Sequence, residues 1–457
     1  VVYAGVADNS RGMHHQRLAR FPMAGADDNF KLIKAEILID GSGAPAIHDG
    51  AVLTRGSRIE AVGPASDVTA PEGAKVEVLD FPGKTLMPGM VDCHTHHNGF
   101  GDGRAGDELA QMPDEVLTLQ SARNARTSLF SGVTTIRENG PKNFTMFRLR
   151  DAVNAGIAVG PRMVLCGRPV SIIGGHMGYF GSEVTGPTEC RAMTRQLIKE
   201  SADYIKITAS GGSTRTSFPL LSSFNIDELT AITDEAHKFG KLTATHCAST
   251  QSIINSLEAH VDMIIHCVFA EPDGTANFRQ DVAERIGELG AFVNPTVHVG
   301  RARIWLMQNK KESVGLTSTE QSTLDDMLRA YDVKLDHTRR LIEMGVNVIT
   351  GSDSSWGDYQ LGNTVNETEC LVDAGFSPMQ GVVSVTGQAA KALDVDNIVG
   401  TLEDGKKADL LILDGDPTRD INALWNVDEV FFAGEILDRG SEESRAKTRQ
   451  LRPSSGP

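Results

Sequence analysis

MVDCHTH at residues 90–96 and VNVITGSD at residues 346–353 open and close a series of eight short, apolar, β-rich runs. Between them stand GVTTIREN (132–139), PRMVLCGR (161–168), DYIKITAS (203–210), LTATHCAS (242–249), MIIHCV (263–268) and AFVNPTV (291–297). Helical patterns separate the runs, and this alternation is the signature of βαβ units in a parallel sheet. One helix is legible in detail. Asn225 caps it, Glu228 occupies the capping-box position, Leu229, Ile232, Ala236 and Phe239 form its apolar stripe, and Gly240 ends it.

Eight parallel strands with intervening helices close into a (β/α)8 TIM barrel, an α/β fold, and residues 89–394 accommodate the ~250 residues such a barrel takes. On either side the rhythm is different. Residues 30–88 hold LIKAEILID, GAVLTRGSRIEAVG and KVEVLDFPGKTLMP, short β-rich runs parted by turn residues. TLEDGKKADLLILDGD and DEVFFAGEIL, within residues 395–440, have the same character. The expectation is a small antiparallel β-sandwich built from both chain ends. Residues 1–29 read as an irregular extension and 441–457 as a polar tail. There is no internal repeat, low-complexity tract or P-loop.

The bulk properties suit a soluble enzyme. The 457 residues carry a net charge of −16, with 40% hydrophobic and 23% charged residues. So acidic a chain repels phosphate, which argues against nucleic acid or an anionic membrane as partner. No apolar run is long enough to span a bilayer, and the start lacks a basic-then-apolar export pattern, so a cytoplasmic location is expected. Six scattered cysteines (Cys93, Cys166, Cys190, Cys247, Cys267, Cys370) read as free thiols rather than a disulfide framework. Cys247 and Cys267 each follow a histidine of chemical interest, and alternation along a strand predicts that these thiols pack outward against helices.

The chemistry begins at His94 and His96. Residues two apart on a strand share a face, and barrel active sites form at the carboxyl ends of the strands. Alone, an H-x-H pair is a weak signal. Here His246 falls at the end of the fifth run, His266 at the end of the sixth and Asp353 at the end of the eighth, while Lys206 lies inside the fourth. A lysine facing a barrel interior is costly unless its charge is neutralised or removed, and its bland alternative is to snorkel to solvent. The coincidence of six such residues carries the weight.

Imidazoles and carboxylates suit zinc, and the same ligands accept cobalt or manganese. A lysine ammonium has no lone pair to offer a metal. Addition of CO2 to the neutral amine would make N6-carboxylysine at Lys206, an anion whose two oxygens can bridge two divalent cations. Such a pair can hold a hydroxide between them and lower its pKa. Asp353 would then ligate one metal and shuttle the proton from the attacking oxygen to the leaving nitrogen.

This set resembles that of the amidohydrolase superfamily. GKTLMPGMVDCHTH resembles that family's entry into the first strand, and GTLEDGKKADLLILDGDP its return from the barrel. DYIKITASGG, GGHMG and the region after TGSD carry a closer likeness to the imidazolonepropionase and prolidase-like branch, which includes phenylurea and molinate hydrolases. The resemblance implies that His94 and His96 bind one metal with Asp353, that His246 and His266 bind the other, and that Lys206 bridges them. It also implies that His176, on the loop after the third strand, polarises the scissile carbonyl, and that the enzyme self-associates. His97 and His298 are read as histidines satisfied by local hydrogen bonds.

Dipeptide-cleaving members of the branch carry a tyrosine shortly after the Ser-Gly-Gly of the fourth strand. Here Phe224 aligns with it, which removes a donor for a substrate carboxylate, and Phe218, Leu220 and Leu221 add apolar surface. The expected activity is therefore a binuclear metal-dependent hydrolysis of the amide, urea, carbamate or thiocarbamate bond of a small, neutral, apolar substrate. Arg215 keeps a rival open, an Xaa-Pro-like dipeptidase or N-acyl amino acid carboxypeptidase, since a guanidinium holds a carboxylate well. A non-catalytic scaffold of the same fold is the remote alternative. The complete ligand set argues against it.

Overall fold

The computed structural model describes residues 29–440, apart from Trp356. The extension over residues 1–28 and the tail over 441–457 lie outside the described residues. The chain opens with β1 (Phe30–Leu38), β2 (Ile47–Arg55), β3 (Arg58–Pro64) and β4 (Val76–Pro88). β5 (Met90–Thr95), β6 (Val133–Glu138) and β7 (Arg162–Leu165) follow, then the two-residue pair β8 (Ser171–Ile172) and β9 (Glu183–Val184). Next come β10 (Ile205–Thr208), β11 (Thr243–His246), β12 (Met263–Ile265), β13 (Phe292–Asn294) and β14 (Asn347–Val348). β15 (Leu410–Asp414), β16 (Val427–Phe432) and β17 (Glu435–Ile436) end the series. Each of the eight runs read from the sequence contains one of the strands β5, β6, β7 and β10 to β14.

These strands are parallel. β5, β6 and β7 make one sheet, and β10 to β14 make a second in sequential order. Parallel bridges Val170↔Ile207 and Thr95↔Ser354 link the two sheets on both sides. Parallel neighbours need long crossovers, and helices supply them, among them Asp114–Phe130, Gly186–Lys199, Ile226–Lys238 and Ser318–Glu343. The largest hydrophobic cluster lies between strands and helices and includes Ile136, Leu165, Ile205, Leu229, Ile232 and Val293. All six cysteines are buried and free. Cys247 Sγ packs outward as expected, 3.5 Å from Ser256 Oγ on the helix Thr250–Glu258.

The helix read in detail forms over Ile226–Lys238, with the full Asn225–Glu228 capping box. Phe239 departs from the expected stripe. It is the C-cap residue, half-exposed, because the helix ends before its side chain reaches the core.

The flanking strands also depart from expectation. They form one seven-stranded mixed sheet, in the order β17-β16-β15-β4-β1-β2-β3, rather than an antiparallel sandwich. β1 pairs with β4 in parallel, from Phe30↔Val76 to Leu38↔Leu86. The reason is topological: β2 and β3 fold as a hairpin on one edge of β1, and the chain then returns to the other edge, so the hairpin acts as the crossover. β15 pairs antiparallel with β4 and joins the two chain ends around Ile33, Val52, Leu86, Leu410 and Phe431. Among the described residues no helix is long and apolar enough to cross a membrane.

Candidate active site

The carboxyl ends of the parallel strands gather the polar residues. His94 lies within β5 and His96 just beyond it, and both are buried. Their Nε2 atoms stand 3.1 Å apart, and each lies 3.1–3.2 Å from Asp353 Oδ1. All three ligand atoms fall within 4.8 Å of one another. Asn294 orients the first ring. Its Nδ2 donates to Gly351 O at 3.0 Å, which turns its Oδ1 toward His94 Nδ1, also 3.0 Å away. His94 Nδ1 therefore carries the proton and Nε2 presents a lone pair, a tautomer assigned from the hydrogen-bond network.

Asp353 stands after β14 with a positive φ of 59°. Main-chain bonds hold it there: Asp353 N donates to His94 O at 2.7 Å, and His96 N to Ser354 O at 2.5 Å. The Tyr359 hydroxyl adds bonds to the carbonyls of Ser352 and Asp353. Asp92 ties the same two strand ends together, accepting from His94 N and Ser352 N at 3.0 Å each and from the Thr364 hydroxyl at 2.6 Å. Burial pushes its carboxyl pKa up. The sequence reading passed over Asp92, although its place two residues before His94, on the same strand face, was the available signal.

His246, His266 and Lys206 lie beside this cluster. His246 Nε2 is 3.0 Å from Gly211 O, so the proton sits on Nε2 and Nδ1 is the free lone pair. His266 lies one residue past β12 at a φ of 65°, with Nδ1 2.6 Å from Thr296 Oγ1. Its ring centroid is 4.4 Å from that of His246 and 5.5 Å from that of His94, so the two groups of histidines touch. Positive φ at His266, Cys267, Thr296 and Asp353 concentrates backbone strain at these strand ends, as functional sites commonly do. Lys206, on β10, is 1% exposed, and among the described residues it has no ion-pair partner. Desolvation by burial pushes its amine down to about 8.

His176 comes from the loop after β8. Its ring is buried, 4.5 Å from that of His246. Thr214 Oγ1 accepts from Met177 N at 3.1 Å and lies 3.0 Å from His176 Nδ1, to which its hydroxyl can donate, leaving an N–H at Nε2. Gly212 packs so close that a Cβ there would meet the imidazole at 2.7 Å. Burial holds His94, His246 and His266 well below the ordinary imidazole range and His176 down to about 3.

The residues expected to meet substrate take different places. Arg215 is exposed on the loop after β10. Phe224 is 1% exposed and part of the main hydrophobic core, and its carbonyl is held by Ser222 Oγ and Asn255 Nδ2. His97 has the expected local partners, Glu138 Oε2 at 3.0 Å and Ser128 Oγ at 3.5 Å. His298 is only half as expected. Its Nδ1 accepts from Arg301 Nε at 3.2 Å, while its buried Nε2 has no hydrogen-bond partner among the described residues.

Two imidazole nitrogens and a carboxylate oxygen crowd together at 3.1–3.2 Å, and at His94 the second nitrogen is already committed elsewhere. Lone pairs facing each other so closely repel unless a cation lies among them, and the ligand types suit a borderline divalent ion. His94, His96 and Asp353 fit such an ion.

Comparison with known proteins agrees with this chemistry. The amidohydrolase family pattern matches residues 85–437. Ochratoxinase from Aspergillus niger (strain ATCC 1015) is 26% identical over 468 residues, covering 94% of this chain and 92% of that protein. An imidazolonepropionase from Symbiobacterium thermophilum is 23% identical over 401 residues, covering 81% and 85%. Among solved structures, an Xaa-Pro dipeptidase with bound methionine superposes with a TM-score of 0.76 at 26% identity, covering 89% of this chain and 99% of that one. Phenylurea hydrolase B gives a TM-score of 0.75 at 23% identity (90% and 97%), and molinate hydrolase 0.74 at 22% (90% and 95%), likenesses of fold. This chain belongs to the amidohydrolase family.

Proposed function

We propose that this hydrolase cleaves the amide, urea, carbamate or thiocarbamate bond of a small, neutral, apolar molecule. In this reading the two parallel sheets are arcs of one (β/α)8 barrel spanning residues 89–394, a closure supported by the bridges Val170↔Ile207 and Thr95↔Ser354. Residues 30–88 and 395–440 form the smaller domain beside it. The enzyme self-associates, and its buried free thiols suit a reducing cytoplasm.

His94, His96 and Asp353 would hold one divalent cation and His246 and His266 a second, with carboxylated Lys206 serving as a ligand between the two groups. Zinc suits these ligands best, with cobalt or manganese as substitutes. Bound there, the cations supply Lewis acidity. Asp353 accepts the proton of the attacking water and passes it to the leaving nitrogen. His176 donates its Nε2–H to the carbonyl oxygen as charge develops on it.

The apolar lip of the site carries the substrate reading. Ile173, Phe218 and Leu221 are 68%, 72% and 54% exposed, on the two loops that frame His176. The Thr216 hydroxyl joins these loops by donating to Gly174 O at 2.8 Å. Exposed aliphatic and aromatic surface rewards an apolar substituent at about 25 cal/mol per Å² buried. The expected role of Phe224 narrows accordingly: from the core it supports the loop after β10.

Arg215, exposed on that same loop, favours the second reading, a dipeptidase or N-acyl amino acid carboxypeptidase. The test pairs a neutral aryl urea or anilide with an N-acyl amino acid bearing a similar apolar group. Higher kcat/KM for the neutral substrate is expected. Higher kcat/KM for the acid, lost in Arg215→Ala, would install the peptidase instead.

A further inference from the structure

The parallel strands begin at the face opposite the histidines, and a cavity of about 420 Å³ opens there. It lies against the first residues of β7, against Asp203 and Tyr204, which lead into β10, and against residues 240–242, which lead into β11. Its volume is at the small end of ligand sites. Met163, Ile198, Leu242, Leu393 and Val395 give it apolar walls. Ile157 and Val159, 81% and 48% exposed, stand on the stretch between the lining residues Asn154 and Arg162 and form an aliphatic lip.

Six charged side chains line the cavity, Arg150, Arg162 and Lys241 against Asp151, Asp203 and Asp394. Several are already engaged. Arg150 Nη1 pairs with Asp203 Oδ2 at 2.6 Å, and Arg148 Nη1 with Asp151 Oδ2 at 3.7 Å. Asp394 is exposed at the edge shared with a neighbouring cleft, where Lys391 also stands. Two cations keep unused donors. Lys241 is partly buried, within electrostatic reach of Asp203, and makes no hydrogen bond or ion pair among the described residues. Arg162, its side chain 11% exposed, uses Nη2 on Asp409 Oδ2 at 3.0 Å, and its buried Nε has no acceptor.

Asp409 cannot serve Arg162 further. Its Oδ1 accepts from Ala433 N at 2.8 Å, and Lys407 lies within reach of the same carboxylate. Burial, and then the charges of Arg58 and Arg162, push the Lys407 amine below its ordinary range. Behind this wall three cations thus share one acid. Residues at this end of such strands ordinarily serve stability, as the Arg150–Asp203 pair does. A buried N–H without an acceptor works against stability. A carboxylate between Arg162 and Lys241 supplies the acceptor and offsets the surplus charge. An apolar group attached to it covers the walls.

We infer that this cavity is a binding site for a small carboxylate with an apolar body, held at its head by Arg162 and Lys241. Hydrolysis of an amide with an apolar acyl group releases an acid of this class. On the proposed reading of the active site, the cavity therefore binds a product on the face opposite the reacting bond. The binding itself does not rest on that reading.

The experiment titrates full-length protein calorimetrically with isocaproate and with isohexanol, a neutral probe of similar shape that offers no bond to hydrolyse. Isocaproate should saturate a site, and isohexanol should bind at least about tenfold more weakly, as expected for loss of a charge-assisted contact. Lys241→Met and Arg162→Met should each weaken isocaproate roughly ten- to a hundredfold. Melting temperatures establish that each variant is folded. Lys241 makes no bond whose loss would unfold the chain, so it decides the matter if Arg162→Met does not fold. Unchanged isocaproate binding in Lys241→Met would overturn the inference, as would equal affinity for isohexanol or no saturable binding to the wild type. A protein that binds isocaproate here but turns over no neutral amide or urea would sink the proposed reaction and leave this site standing.

Discussion

His94 and His96 are tied to Asp353 through the main chain, whereas His246 and His266 hang on partners in loops. In the first half, Asp353 N donates to His94 O, His96 N donates to Ser354 O, and Asp92 clasps both strand ends from below. In the second half, each ring is set by a single bond, to Gly211 O or to Thr296 Oγ1. The ligand atoms of the first half already converge within 4.8 Å. Preorganisation of this kind lowers the cost of binding. The difference teaches that His94, His96 and Asp353 converge before any ion arrives, whereas in the proposed reading His246 and His266 would need Lys206 to complete a second site.

The sharpest way to break that comparison is at Asp353. Asp353→Asn should lower kcat by about 10²–10⁴, the usual worth of a positioned proton carrier. The amide oxygen can still face a cation, so metal should be partly retained. Elemental analysis alongside turnover separates the two effects. Wild-type turnover in a metal-loaded Asn variant would remove Asp353 from proton transfer.

A comparable effect is expected from pH on the metal-free protein. Burial lowers the pKa of His94, His176, His246 and His266 in the fold, while an unfolded histidine titrates near its ordinary value. As pH falls through about 6.5, the unfolded chain gains protons that these buried rings refuse. Stability is then lost on acidification, by roughly 3 kcal/mol for four such groups between pH 7.5 and 6. Denaturant melts at the two pH values measure it. Equal stability would mean that these rings are not held neutral.

Much of this contrast is legible in the sequence, and the remainder is not for physical reasons. The eight strands are visible because buried parallel strands are short apolar runs. The four histidines, Lys206 and Asp353 are visible because polar residues at the ends of such runs stand out. Asp92, Asn294, Thr296 and Thr214 are not, because they act by hydrogen bonds whose partners lie up to 272 residues away. The parallel pairing of β1 with β4 is hidden for a related reason: nothing local in a strand records which edge the chain will choose on its return. Phe224 misled through alignment, since a position fixes neither the direction a ring faces nor what covers it.

The orienting residues allow the two halves to be compared directly. Asn294→Leu frees the His94 ring and leaves Gly351 O without its donor. Metal affinity should fall about 10- to 100-fold, as is typical for such partners. Thr296→Val removes the one bond at His266 Nδ1 and should act only on the second ion. Competition with a chelator, followed ion by ion, reads both. If Asn294→Leu releases only the second ion, the ordering of the two halves is wrong.

The smallest effect is expected at Phe218, at the outer edge of the site. The ring is largely exposed, and its removal opens no cavity, so Phe218→Ser should leave melting temperature and metal content unchanged. A substrate with an aryl or alkyl arm would bury part of this ring, and at about 25 cal/mol per Å² a contact of some 40 Å² contributes about 1 kcal/mol. KM for such a substrate should therefore rise roughly fivefold. The contact lies outside the layer where bonds break, so it is made equally in the ground and transition states and kcat should stay the same. A short, polar-armed substrate should not notice the change. If Phe218→Ser lowers kcat while KM holds, the loop after β10 closes over the reacting bond and belongs to the catalytic centre. If neither parameter moves for any apolar substrate, the lip formed by Ile173, Phe218 and Leu221 is not where substrate lies.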